Sequence, residues 1–236
     1  MTFEELLLCL PHLGSSPPGN GTAGFGVITN PFGQFVAPDV TPRSDVTFHN
    51  EPAVVVISAP GAVGKSTLGR EVARRTGAPL WDLALTGPVG AGSVAGQLVS
   101  AYGTSNVAQI WSAFANGSHL VVIDALDEGR MKVNEASFLA FLQDIADLCR
   151  QFSAAPGVRF MLLGRTIVAE AAWIELDSAG VNTNLLVIEA FDRPRAERYI
   201  DLRIAGMPST YSERISAYRG PFEAARNGVF DELAWS

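Results

Sequence analysis

Residues 59–67 read Ala59-Pro60-Gly61-Ala62-Val63-Gly64-Lys65-Ser66-Thr67, and they lie between two contrasting segments. The apolar, β-branched run 53–57 precedes them, and the helix-forming run 68–75 follows them. A short β-branched run bounded by turn residues is typical of a strand buried in a parallel sheet. The stretch therefore predicts a strand, a glycine-containing loop and a helix in succession, and the rest of the chain is organised around this unit.

The same arrangement is typical of a phosphate-binding P-loop. In such a loop, successive backbone N–H groups and the start of the following helix attract an anion. We expect Lys65 to reach the β- and γ-phosphates of a bound nucleotide and the hydroxyl of Ser66 to bind Mg²⁺. The pattern departs from the usual one at its first position, where Ala59 stands in place of glycine. All nine residues, Ala59 to Thr67, are predicted to bind the nucleotide.

Composition limits the class of protein. The chain has 236 residues, enough for one large or two small domains. Hydrophobic residues make up 47% of it and charged residues 17%, against roughly 25% charged in an average domain. A sheet covered by helices on both faces would produce this bias. The net charge of −7 argues against broad binding of nucleic acid or anionic membranes.

The two cysteines and the N-terminus indicate a cytoplasmic location. Cys9 and Cys149 lie in apolar, helix-like surroundings, which predicts two buried free thiols and neither a disulfide framework nor a zinc site. The first five residues lack the basic segment of a signal peptide. The sequence contains no apolar run long enough to predict a membrane span.

Beyond the P-loop, strand-like and helix-like runs alternate, which is the signature of a mainly parallel sheet. We predict strands at 53–57, 80–85, 119–123, 159–165 and 185–188. We predict helices at 3–10, 68–75, 93–102, 105–116, 135–152, 167–176, 193–204 and 209–227. Residues 14–26 are predicted to form a linker. For residues 25–40 three interpretations stay open: one or two short strands, a loop packed on the nucleotide site, and a surface strap.

A carboxylate at the end of a neighbouring strand is the other requirement of a P-loop site, since it holds Mg²⁺ or a water bound to it. Asp124 follows four apolar residues and is expected to end a strand at the sheet's ligand-binding edge. Ser66 and Asp124 are therefore the predicted metal ligands. Asp127 and Glu128 follow at once, and either is expected to orient an attacking water.

Arg165 directly follows the apolar part of the run 159–165. A cation at the end of the strand beside the P-loop strand would sense or stabilise the γ-phosphate. Arg165 therefore joins Asp127 and Glu128 as a predicted catalytic residue.

These motifs carry a family resemblance. Ile123-Asp124-Ala125-Leu126-Asp127-Glu128 resembles the acidic box of NACHT and related STAND NTPases, which belong to the AAA+-related ASCE clan of P-loop proteins. Leu162-Leu163-Gly164-Arg165 resembles their first sensor, although Gly164 departs from the usual serine or threonine. Residues 185–200 resemble the step from their fifth strand into the lid helices. The resemblance covers residues 54–204.

The resemblance implies an α/β three-layer sandwich with a mainly parallel five-stranded sheet in the order 5-1-4-3-2. With the sequence pattern, this gives three expected segments: an N-terminal helix and loop or strap at 1–50, a P-loop NTPase core at 51–192 and the start of a helical lid at 193–236. The resemblance further implies a slow, Mg²⁺-dependent ATPase that couples its ATP or ADP state to self-association in signalling or antiphage defence. On this resemblance we expect the chain to be either the nucleotide-binding part of a longer protein or an unusually minimal protein of this kind.

Two other functions stay open from the sequence. Residues 64–70, followed by Gly77-Ala78-Pro79, also resemble the start of small-molecule or nucleotide P-loop kinases, with Arg193, Arg195 and Arg198 as a basic lid. Alternatively, the chain is a non-catalytic interaction module that binds nucleotide structurally. A GTPase is disfavoured, because residues 183–200 contain no Asn-Lys-x-Asp motif.

Overall fold

The computed structural model describes residues 1–12, 35–61 and 63–205. Three predicted features lie outside the described residues: the linker at 14–26, the helix at 209–227 and position 62 of the P-loop. Most of the segment 25–40 lies outside them as well.

The described residues alternate between strands and helices. The strands are β1 (Val40–Pro42), β2 (Val54–Ala59), β3 (Leu80–Asp82), β4 (Val121–Asp124), β5 (Phe160–Arg165) and β6 (Thr183–Ile188). The helices are α1 (Phe3–Leu8), α2 (Lys65–Thr76), α3 (Ser93–Tyr102), α4 (Val107–Ala115), α5 (Leu126–Met131), α6 (Glu135–Gln151), α7 (Thr166–Ser178) and α8 (Arg193–Ala205).

The strands form one sheet in the order β1-β6-β2-β5-β4-β3. All neighbours are parallel except β1, which runs antiparallel to β6. The predicted sheet of five strands in the order 5-1-4-3-2 was wrong in one respect, because a sixth strand, β1, joins the sheet beside β6. Sequence pattern missed β1 because three residues ending in Pro42 carry no periodic signal, and the partner of β1 lies more than 140 residues away.

Helices cover both faces of the sheet and make a three-layer α/β fold. On one face, α2 packs so closely that a Cβ at Gly69 would lie 3.2 Å from Leu163 Cδ1. On the other face, alternate residues of the central strands join a large apolar cluster with α3, α4, α6 and α7. All six residues of β2 are buried, as expected for a central parallel strand.

The chain divides into two compact units. The first contains the described residues 1–12, 38–61 and 63–189, and the second contains 35–37 and 190–205. In the second unit, α8 confirms the predicted helix at 193–204, and the Asp192 carboxylate accepts a hydrogen bond from the Arg195 backbone N–H at 2.9 Å. The three segment boundaries expected from the resemblance stay a prediction.

The cysteine prediction is half right. Both thiols are free, and Cys149 is buried, but Cys9 is exposed. Cys9 immediately follows the short helix α1, which turns Phe3, Leu6 and Leu7 inward and leaves Cys9 on the outer side. None of the helices described here has both the length and the apolar character needed to cross a membrane.

Candidate functional site: the P-loop and the acidic strand end

The P-loop leaves the buried strand β2 at Ala59 and enters α2 at Lys65. Gly64 forms the N-cap of α2 with φ of 92°, a left-handed conformation that favours glycine because it has no Cβ. No side chain caps this helix start, so the first N–H groups of α2 are not used by a cap. The start of α2 therefore presents backbone N–H groups that no capping side chain occupies, and binding of an anion there stays a prediction.

Lys65 bends back across the loop that carries it. Its Nζ donates hydrogen bonds to the carbonyl oxygens of Ala59, at 3.1 Å, and Pro60, at 2.7 Å. The Lys65 side chain is half-buried, and burial lowers its pKa. The charges of Asp127, Arg165, Asp124 and Glu128 also act on this pKa, in that order, and only Arg165 adds to the lowering. The four predicted charged groups thus all act electrostatically on the Lys65 ammonium group.

Asp124 ends β4 and is only 3% exposed. Burial raises the pKa of its carboxyl group, and the nearby Ser66 hydroxyl and a hydrogen bond from the Ala125 N–H oppose that rise. The Ala125 N–H lies 2.8 Å from Asp124 Oδ1. The two predicted metal ligands, Ser66 at the start of α2 and Asp124 at the end of β4, are therefore neighbours.

Ala125 holds an unusual backbone conformation. Its φ is 64°, and among the described residues it is the only non-glycine residue with a positive φ. A left-handed conformation costs about 1–2 kcal/mol for a residue with a Cβ. Such strain is found where surrounding contacts fix a functional turn. Here the strained residue separates Asp124 from the first turn of α5, which carries Asp127 and Glu128.

Asp127 and Glu128 differ in their contacts. Asp127 Oδ2 accepts a hydrogen bond from the backbone N–H of Arg165 at 2.7 Å. Glu128 is half-buried, and its carboxylate has no hydrogen-bond partner among the residues described. In this helical turn, the Asp127 carboxylate is therefore hydrogen-bonded to the end of β5, whereas the Glu128 carboxylate is hydrogen-bonded to none of the described residues.

Arg165 is the last residue of β5 and lies opposite Ala59 in the parallel register. Its side chain is exposed, and its charge lowers the pKa of Lys65. Gly164, which departs from the family pattern, has a packing reason. A Cβ at Gly164 would lie 3.2 Å from Leu126 Cβ, so glycine lets the acidic turn rest on the strand.

Sequence reasoning missed Asp82. It ends β3 and pairs in register with Asp124, and registered residues of parallel neighbours point to the same face. Its negative charge contributes to the raised pKa of Asp124, after burial. Asp82 Oδ1 also accepts a hydrogen bond from the Ala84 N–H at 2.9 Å. The signal was present, since an apolar run ending in aspartate is the same pattern that identified Asp124.

The oxygen donors suit a hard cation. Mg²⁺ prefers oxygen ligands and usually keeps several waters, so one carboxylate and one hydroxyl are enough protein ligands when phosphates complete the shell. Ser66 and Asp124 supply that pair. Across the described ranges, His, Cys, Asp and Glu form no group of three or more that could hold a metal by themselves. The site therefore fits Mg²⁺ that arrives with a nucleotide.

The structure brings together the predicted residues of the described chain at one edge of the sheet. Position 62 is the one predicted site residue that lies outside the description. The kinase alternative assigned a basic lid to Arg193, Arg195 and Arg198. These residues belong to the second compact unit.

Comparison with known proteins gives no match to a family model and no match to a curated protein sequence. Among solved structures, the chain is similar to the ORC2 protein of Aeropyrum pernix in ADPNP–ADP complexes, with a TM-score of 0.43 and 16% identity. It is also similar to a chain of the E. coli MS115-1 HORMA:CdnC:Trip13 complex, with a TM-score of 0.37 and 18% identity.

The first match covers 67% of this chain and 47% of the ORC2 chain. The second covers 70% of this chain and 58% of the other. This chain thus spans about half the length of the structures it matches. At these values neither likeness bears on function.

Proposed function

We propose that this chain binds ATP together with Mg²⁺ and hydrolyses it slowly. One observation carries the proposal: Ser66, in the first turn of α2 after the P-loop, lies near enough to the buried carboxyl group of Asp124, at the end of β4, to act on it. These two residues come from distant parts of the sequence, and they are the hydroxyl and carboxylate that a P-loop site uses for Mg²⁺. Lys65 lies at the same edge, where its ammonium group would meet the phosphates.

The reaction follows from what each side chain can reach. The N–H groups at the start of α2 and the Lys65 ammonium would bind the phosphate oxygens. Magnesium, held by Ser66 and Asp124, would offset charge on the β- and γ-phosphates. A carboxylate of the acidic turn would orient the attacking water, and the exposed Arg165 guanidinium would stabilise charge on the γ-phosphate.

In its finer form, the proposal is a STAND- or NACHT-like switch in a signalling or antiphage-defence protein. Its support is the acidic box at 123–128 and the strand end at Arg165, quoted above from the sequence. ATP and ADP would favour different conformations because only ATP offers a γ-phosphate to Arg165. Self-association or further domains would then read out the nucleotide state.

The test compares nucleotide binding by wild type and by Lys65→Met. Methionine has an unbranched side chain of similar length to lysine but lacks its charge. Wild type is expected to bind Mg-ATP, and Lys65→Met to lose most of that affinity while its thermal unfolding stays close to wild type. Fluorescence anisotropy with a labelled ATP analogue measures both affinities. Equal affinity in the two proteins would show that the nucleotide does not use this loop.

Product analysis separates the proposed hydrolysis from the two alternatives. Release of inorganic phosphate from ATP without an acceptor supports an ATPase. Tight ATP binding with no phosphate release would favour a non-catalytic module. Phosphate transfer to an added small molecule would favour a kinase.

A further inference from the structure

We infer that Asp127 is a positioning residue that fixes Arg165, and that Glu128 is the carboxylate left to orient water. This inference rests on the proposed function and divides the roles within the acidic turn. The sequence pattern treats Asp127 and Glu128 alike, because both lie in the first turn of α5. Their contacts in the folded chain separate them.

The first contact is the hydrogen bond from the Arg165 backbone N–H to Asp127 Oδ2, at 2.7 Å. Arg165 is both the last residue of β5 and the N-cap of α7, so this N–H lies where strand pairing ends and the helix begins. A hydrogen bond to an ionised acceptor is roughly twice as strong as a neutral one. Asp127 therefore holds the backbone from which the Arg165 side chain projects.

The second contact lies one residue earlier on each segment. Leu126 is fully buried, and its Cβ would lie 3.2 Å from a Cβ placed on Gly164. Consecutive residues of the turn thus rest on consecutive residues of the strand, Leu126 on Gly164 and Asp127 on Arg165. We call these two contacts the turn–strand latch.

The latch connects the parts that would recognise the γ-phosphate. Arg165 lies beside Ala59, the first residue of the P-loop, and its charge acts on Lys65. Through the latch, a shift of the acidic turn would move the end of β5 and the start of α7. The latch would therefore make the preference for ATP over ADP depend on Asp127 through Arg165.

The roles of Asp127 and Glu128 follow from the carboxylate oxygens that each still has available for a water molecule. A group that activates water must lie within hydrogen-bond reach of that water in the reacting complex. One oxygen of Asp127 is already committed to a backbone N–H. Glu128 has a longer side chain and no hydrogen-bond partner among the described residues, so it can turn toward a bound water.

The test compares three substitutions in the full chain: Asp127→Ala, Asp127→Asn and Glu128→Gln. Asparagine keeps an oxygen that can accept the Arg165 N–H, whereas alanine removes the acceptor. We measure hydrogen exchange at the Arg165 amide, affinities for Mg-ATP and Mg-ADP, and phosphate release. Thermal unfolding of each variant reports whether the fold is kept.

In Asp127→Ala, the Arg165 amide is expected to exchange at least about tenfold faster, and the preference for ATP over ADP to fall roughly tenfold. Asp127→Asn is expected to restore both properties. Adding Arg165→Ala to Asp127→Ala should not reduce the preference for ATP over ADP any further, because both substitutions remove the same interaction. Glu128→Gln should keep the preference and lose roughly 10²–10⁴-fold in phosphate release.

Three outcomes would overturn the inference. The first is unchanged Arg165 exchange in Asp127→Ala. The second is a loss of phosphate release in Asp127→Asn as large as in Glu128→Gln, which would make Asp127 the water-activating group. The third is equal weakening of ATP and ADP binding in Asp127→Ala. Failure of wild type to bind either nucleotide would instead refute the proposed function, and with it the role assigned to the latch.

Discussion

His119 is a buried residue whose surroundings are aromatic and offer its ring nitrogens little hydrogen bonding. It is 1% exposed, two residues before β4, and its ring centroid lies 4.8 Å from that of Phe114 and 6.1 Å from that of Tyr102. Within the described part of the chain, its Nε2 has no hydrogen-bond partner. Burial lowers the pKa of His119 to about 4, so the folded chain holds the ring neutral.

We therefore predict that His119 makes the folded protein less stable in mild acid. Above the unfolded pKa of about 6.5 the ring is neutral in both states and contributes nothing to pH dependence. As the pH falls toward 4, the unfolded chain binds a proton that the folded chain does not. Between pH 7.5 and pH 5, His119 should therefore lower the free energy of unfolding by about 2 kcal/mol.

The measurement is urea unfolding of wild type and His119→Leu at both pH values. Leucine has a similar size and suits the aromatic surroundings, so this variant should lose less stability between pH 7.5 and pH 5. The difference isolates the histidine from the carboxylates, which titrate in both proteins. Identical pH dependence in the two proteins would mean that His119 is not held neutral in the fold.

Among the elements, periodic helices and buried strands were predictable, and short elements that depend on distant partners were not. The pattern of α6 located it to within a residue, because its apolar face repeats along 17 residues. Strand β1 and helix α5 were missed, since neither the three residues ending in Pro42 nor the largely polar run 126–131 carries an apolar repeat. Both depend on distant partners, β6 for the strand and Leu83 and Gly164 for the helix.

The connection between α4 and β4 depends on a close approach to the loop that follows α6. Arg159, which is buried, donates hydrogen bonds to carbonyl oxygens of Phe114, Phe152, Ala155 and Gly157, and so joins these two regions. At this junction a Cβ on Gly117 would lie 2.1 Å from the carbonyl oxygen of Pro156.

Substituting Gly117 by alanine is therefore expected to destabilise the fold strongly. Gly180 is a matched control, because its φ of 77° resembles the 71° of Gly117, but no heavy atom of the described residues beyond its two chain neighbours lies within 4 Å of its Cβ position. Gly180→Ala should cost about 1–2 kcal/mol from backbone strain alone. Gly117→Ala should cost about 1–3 kcal/mol more, because the backbone around Pro156 must move.

Urea unfolding of both alanine variants measures the two costs under the same conditions. The difference between them reports the close approach, since the backbone strain is common to both. Equal costs would contradict the packing described for this junction.

For the whole molecule, topology explains why the position of the site was predictable. Parallel strands bring their carboxyl ends to one edge, so a P-loop after β2, an aspartate after β4 and an arginine after β5 must lie near one another. The contacts that give these residues different roles could not be predicted from the sequence. The partner of Asp127 is a backbone N–H 38 residues away, and Asp82 gains its position only through pairing with Asp124.

The central claim is that this edge of the sheet holds one Mg-ATP through Lys65, and equilibrium dialysis against radiolabelled ATP with Mg²⁺ tests it most directly. Dialysis allows any nucleotide already bound to exchange, so the bound label counts the sites. The account predicts saturation near one nucleotide per folded wild-type chain and almost none on folded Lys65→Met. Wild-type protein that stays folded and binds no label at millimolar ATP would contradict it.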